Sequence, residues 1–147
     1  MKTAILSIIL FFSVQTEKNS NTYQKTIKAF FNAVAQSEYN ANNLRQTYII
    51  PLNEKSGSAK RNEFVDFQIA NLHRELKEKD VSKIAIFDYT SLPSDERNIK
   101  LYSFQPDEKA YVVKYEGKYL TTVLFQKDLI KSFSLINKSG SKTFLVF

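Results

Sequence analysis

The hydrophobic period of this chain changes once, near Asp80, and that change restricts the fold more than any single motif. Before it, apolar residues recur at helical spacing. Tyr23, Ile27, Phe30, Phe31 and Val34 form one stripe, with Lys25, Lys28, Asn32 and Gln36 largely on the other side. Ser20 or Thr22 is placed to cap this helix near Tyr23. Asparagines within Tyr39–Asn43 compete with helical backbone bonding and weaken its continuation. Leu44, Tyr48 and Ile49 suggest a short helical piece that Pro51 ends, because the residue before a proline is pushed out of the helical region. Asn53–Ser58 reads as a loop. In a second long helix, expected over roughly Ala59 to Lys79, Val65, Ile69, Leu72 and Leu76 step by four, three and four. Glu63, Arg74, Lys77 and Glu78 fall on its solvated faces.

After Asp80 the period is two. Lys83–Tyr89 reads as a strand, Leu92–Asn98 as a turn, Ile99–Gln105 as a strand and Pro106–Glu108 as a turn. Ala110–Tyr115, Glu116-Gly117 and Lys118–Gln126 carry the strongest hairpin signal. In its first arm Tyr111, Val113 and Tyr115 share a face. In the second, Tyr119, Thr121, Val123 and Phe125 share one, opposite Leu120, Thr122 and Leu124. Leu129–Asn137 and Thr143–Phe147 read as the last strands, joined by Lys138–Lys142. Consecutive strands with short links pair antiparallel, since parallel neighbours need long crossovers. The expected class is therefore α+β: N-terminal helices packed on a curved antiparallel β-sheet. No repeat, linker or low-complexity stretch marks a second domain, so one domain is expected over residues 20–147.

The start of the chain points to an address. Met1-Lys2-Thr3 is short and basic, Ala4–Val14 is apolar and uncharged, and Gln15–Asn21 is polar. This is the layout of a secretory signal peptide, expected over residues 1–16, with the mature chain starting between Gln15 and Asn21. The apolar run falls short of the about 20 residues a membrane-crossing helix needs. A secreted or periplasmic location follows as the expectation. The chain has no cysteine. That leaves no lipid attachment point, no disulfide framework, no Cys-ligated metal and no thiol nucleophile.

The formal charge of +6 comes from 21 basic and 15 acidic residues that interleave along the chain. With no compact basic cluster and no recognised motif, nucleic-acid binding is not expected. With only Gly57, Gly117 and Gly140 there is no glycine-rich phosphate cradle, and no nucleophile elbow is present. No cofactor or metal is expected.

Few residues suggest chemistry. His73, the only histidine, lies beside the stripe of the second long helix and is a candidate pocket base or ligand. Asp66 is two turns earlier, about 10 Å along the axis, too far for a direct bond. Asp88 shares its strand face with Ile84 and Ile86, and a carboxylate on an apolar face is a candidate general base; a strand end before a turn explains it equally. Tyr89, Tyr102, Tyr111, Tyr115 and Tyr119 are candidate ligand-binding residues, with rings to pack and hydroxyls to orient a ligand, although strands favour aromatics anyway. Asp95-Glu96 and Asp107-Glu108 sit in expected turns and read as solvated. Asn137-Lys138-Ser139 fits the N-glycosylation pattern.

The order of elements also carries a likeness. Helix Tyr23–Val34, a broken segment ending at Tyr48-Ile49-Ile50-Pro51, helix Glu63–Leu76 and a long meander together resemble the NTF2-like (cystatin-like) cone. The closing stretch Ser132–Phe147 is similar to the end of small secreted bacterial members. The resemblance implies a long sheet wrapped around helices, with a pocket at the open end. Within that superfamily some members are isomerases or dehydratases and many are non-catalytic binding modules. The expected function is a non-catalytic binding domain for a small apolar or amphipathic ligand or an envelope protein. The alternatives are a small isomerase- or dehydratase-like enzyme with Asp88 or His73 as base, and an interaction or inhibitor module using a sheet face.

Overall fold

The structure, a computed structural model, describes residues 21–51, 58–100 and 102–147. The expected signal segment and most of the expected loop at residues 53–58 lie outside these. Helix α1 covers residues 21–35, and Ile27, Phe30, Phe31 and Val34 on its stripe are fully buried. The asparagine-rich break restarts a helix as well as ending one. Asn40 Oδ1 accepts from the Asn43 amide at 2.9 Å and caps α2, Ala41–Tyr48. Helix α3 spans Ser58–Leu76 and buries Val65, Ile69, Leu72 and Leu76. It stops short of Lys79 because the Lys79 amide turns back to the Leu76 carbonyl at 2.8 Å.

Four strands form an open antiparallel sheet in the order β1 (Ile84–Asp88), β2 (Glu108–Tyr115), β3 (Lys118–Gln126), β4 (Leu129–Ser132). The β2–β3 turn needs positive φ at both central residues, and Glu116 (47°) and Gly117 (78°) supply it. A second, two-stranded sheet pairs β5 (Leu135–Lys138) with β6 (Ser141–Phe144). The class is thus α+β.

Both faces of the sheet are covered along the middle of β2 and β3, while Ala85 and Phe87 on the outer face of β1 are exposed. Tyr111, Val113, Val123 and Phe125 point to the helices and join the larger core. Tyr23 of α1 packs its ring 4.9 Å from Phe125 and 5.5 Å from Tyr111, and Phe30 lies 5.3 Å from Phe133. On the opposite face Ala110, Val112 and Leu124 pack with Tyr89, Leu92, Ile99 and Phe144 in a smaller cluster. Segment 89–105 and the β5–β6 hairpin supply that outer cover.

Several expectations change, among them the last strand, which is Ser141–Phe144 in place of Thr143–Phe147. The described residues of Ile99–Gln105 form no strand: Ile99 bridges to Lys142, a backbone turn joins Gln105 O to the Glu108 amide at 3.1 Å, and side chains hold the rest. Tyr102 donates its hydroxyl to Glu108 at 2.8 Å, and the Gln105 amide donates to the same carboxylate at 2.9 Å. Leu129–Asn137 is two strands, because Ser132 Oγ ends the first. It donates to Leu145 O at 2.7 Å and accepts from the Ser134 amide at 3.3 Å, and the chain crosses to the second sheet there. In β3 the face assignment switches. Val113 pairs with Thr121 and Lys114 with Tyr119, so Leu120 is an extra, bulged residue. Leu120 therefore packs with the larger core, and Tyr119 turns away from the face of Val123 and Phe125.

Candidate functional site

A cleft of about 670 Å³ opens between α3 and the start of β3 with the 133–137 segment. Gln68, Asn71, Leu72, Arg74 and Glu75 of α3 form one wall. Tyr119, Leu120 and Thr121 at the start of β3, with Phe133 to Asn137 and Lys142, form the other. The bulge at Leu120 builds this wall: it aims one apolar side chain at the floor and one phenol at the rim. Ser134 Oγ donates to Gln68 Oε1 at 2.9 Å, tying α3 to the β4–β5 crossing. Thr121 Oγ1 donates to Phe133 O at 2.7 Å across the same floor. The result is an apolar floor of Leu72, Leu120 and Phe133 under a polar rim, carried on rigid elements.

The five tyrosines are divided among several places. Tyr111, 1% exposed, is a core residue on the helix side. Tyr89 lies in the outer cluster, where its hydroxyl accepts from the Ile99 amide at 3.1 Å. Tyr102 packs edge-on to Phe144 at 5.1 Å and donates to Glu108. Tyr115 is half-buried, with Lys79 Nζ 5.8 Å above its ring. Only Tyr119 among the five lines the cleft. Its hydroxyl meets Thr122 Oγ1 at 3.1 Å, and Lys142 Nζ stands 4.7 Å over its ring. Burial pushes that hydroxyl up from its ordinary value, and the Thr122 contact pulls it partly back.

Asp88 faces inward as the alternation predicts, opposite Tyr111, but its carboxylate is engaged. Oδ1 accepts from the Thr90 amide at 2.8 Å and the Thr90 hydroxyl at 2.6 Å, capping a 3₁₀ turn at Tyr89–Ser91. His73 Nδ1 lies 2.7 Å from Val34 O, and since a carbonyl only accepts, Nδ1 carries the proton. Its ring packs on Tyr39 at 4.6 Å, so His73 ties α3 to the end of α1. Neither His73 nor Asp88 lines the cleft. Asp66 pairs with Arg45 Nε at 2.6 Å. Among the described residues no group of three His, Asp or Glu side chains is arranged to hold a metal ion.

One acid departs from its expected role. Glu108 opens β2 with its side chain fully buried, accepting from Lys131 Nζ at 2.6 Å as well as from Tyr102 and Gln105. Burial alone would raise its pKa. The Gln105 amide, Lys131 and Tyr102 outweigh burial and hold the carboxyl below the usual range. Burial and this acceptor in turn push the Tyr102 hydroxyl well up. The network lies apart from the cleft lining and has every carboxylate oxygen occupied, which suits a structural tie.

Comparison with protein-family models, with curated protein sequences and with solved structures finds no match for this chain.

Proposed function

We propose that this chain is a non-catalytic binding domain of the NTF2-like type, exported from the cytoplasm, whose cleft between α3 and the start of β3 receives a small amphipathic ligand. The observation that carries the reading is the cleft itself. Its volume, about 670 Å³, falls inside the about 300–1,000 Å³ of small-molecule sites. It combines an apolar floor with converging polar groups, and its walls are a long helix and a paired strand. The helices-then-meander order and the open antiparallel sheet support the NTF2-like assignment. The basic start and apolar run of Met1–Val14 support export. Binding is favoured over catalysis because the cleft lining holds no histidine, and because Asp88 is engaged in its cap and His73 in its bond to Val34.

The test uses N-phenyl-1-naphthylamine, a neutral fluorophore that brightens in apolar surroundings. Saturable one-to-one binding by the wild type is expected. Ile136→Trp, at a cleft residue 39% exposed, should abolish it without unfolding the domain. No saturable binding, or binding unaffected by filling the cleft, refutes the reading. For export, the protein recovered outside the cytoplasm should lack Met1; an intact N-terminus there refutes the cleaved signal.

A further inference from the structure

We propose that the cleft selects anionic amphiphiles, seating a carboxylate head between Arg74 and Lys142 and the apolar body on Leu120 and Ile136. The inference rests on the reading of the cleft as a ligand site and adds the charge of its ligand. Arg74 stands on the α3 wall and Lys142 on the β6 wall. Among the described residues neither has a carboxylate within ion-pair distance. Arg74 Nη2 donates to Asn71 Oδ1, one turn back on α3. Lys142 is paired to Asn137 in the β5–β6 ladder and bridged to Ile99, and its ammonium stands over the Tyr119 ring.

The one acid in the lining does not offset them. Glu75 Oε2 faces Lys79 Nζ at 3.7 Å, one helical turn on, so its charge is partly satisfied away from the cleft. The balance of the lining is two cations against one carboxylate that already has a partner. Asn71 and Asn137, beside the cations in the lining, add amide donors for carboxylate oxygens. A neutral polar ligand would use the amides but leave the two cations unmatched. An anionic head uses both, with the attraction expected of charges near a protein surface. Tyr119 and Ile136, both about two-fifths exposed at the rim and wall, give an apolar body something to cover.

The experiment compares two probes with one ring system: N-phenyl-1-naphthylamine and its sulfonate, 8-anilinonaphthalene-1-sulfonate. In the wild type the sulfonate should bind about tenfold tighter at low salt, the equivalent of about 1.4 kcal/mol. The margin should shrink at about 0.5 M salt, where the screening length drops below about 5 Å. Decanoate should displace the sulfonate more effectively than decanol. The double variant Arg74→Gln/Lys142→Gln should bring the two probes to equal affinity. Lys79→Gln, which frees Glu75, should weaken the sulfonate a few-fold and spare the neutral probe. If the wild type binds both probes equally, or the double variant keeps the preference, the charge selectivity is overturned and the cleft remains a neutral ligand site. If neither probe binds, the binding reading fails with it.

Discussion

Glu108→Gln tests the most buried charge among the described residues. Glu108 Oε1 accepts from Tyr102 and Lys131, and Oε2 accepts from the Gln105 amide. A glutamine has one acceptor oxygen and one NH2 group. With its oxygen at the Oε1 position, the NH2 faces the Gln105 N–H; with its oxygen at Oε2, it faces the Lys131 ammonium. Either placement sets donor against donor around a fully buried side chain. Removing one member of a buried pair costs about 3–5 kcal/mol. The Lys131 side chain is 21% exposed and can rehydrate, which selects the lower end, about 3 kcal/mol. In a single domain of this size that corresponds to a fall in Tm of about 9–12 °C. Urea unfolding should show the same loss in midpoint with the slope unchanged.

The pH dependence supplies an independent check. The folded carboxyl is held below its unfolded value of about 4.3. Its contribution is therefore fully present above that value and is lost as pH falls through the lower folded value. Wild-type stability should be flat from neutral pH to about 5 in this respect and fall below it, and Glu108→Gln should flatten that acid limb. A Tm loss under about 3 °C, or an acid limb identical to that of the wild type, would refute the tie between Glu108 and the donors around it.

Three further changes separate structural from chemical roles. His73→Ala removes the bond to Val34 O and the packing on Tyr39, and should cost about 1.5–2.5 kcal/mol in urea unfolding. An unchanged midpoint would show that the α1–α3 tie is not made in solution. Asp88→Asn keeps an acceptor for the Thr90 amide and should change stability by under about 0.5 kcal/mol, whereas Asp88→Ala should cost about 1 kcal/mol; equal losses would contradict the capping role. Phe30→Ala empties a fully buried position against Phe31, Tyr48 and Phe133 and should cost about 3–5 kcal/mol, read from the thermal midpoint.

The helices were legible because each buries one stripe, and a stripe is a local pattern. The β2–β3 hairpin was legible for a similar reason: Glu116-Gly117 is two residues long and suits positive φ. The outer layer was not. Ile99–Gln105 has a strand's composition, but its Tyr102 and Gln105 anchors depend on where Glu108 ends up. Glu108 itself follows a Pro-Asp turn and looks solvated, while its cationic partner Lys131 is 23 residues away. The cleft is less visible still. Its walls meet through Gln68 and Ser134, separated by 66 residues, and no periodicity reports that contact. Alternation put Tyr119 with Val123 and Phe125, and the single extra residue Leu120 reversed it. A bulge leaves no mark on composition, so the tyrosine that reaches the cleft could not be told from the four that do not.

The covering of both sheet faces has a consequence for folding fidelity. In a sheet with one wet face, a slip of one residue drives polar side chains inward and is rejected by burial alone. Here Ala110, Tyr111, Val112 and Val113 are all buried, as are Thr122 to Phe125 across from them. A slip would exchange apolar for apolar along the middle of β2 and β3, so hydrophobicity distinguishes right from wrong alignment less sharply there. The burden falls on other features: the turn that only a left-handed pair closes, the size contrast between Ala110 and Val112 on one side and Tyr111 and Phe125 on the other, and a single buried carboxylate that finds its ammonium in one alignment only. Glu108 is in this sense a ruler as much as a bond.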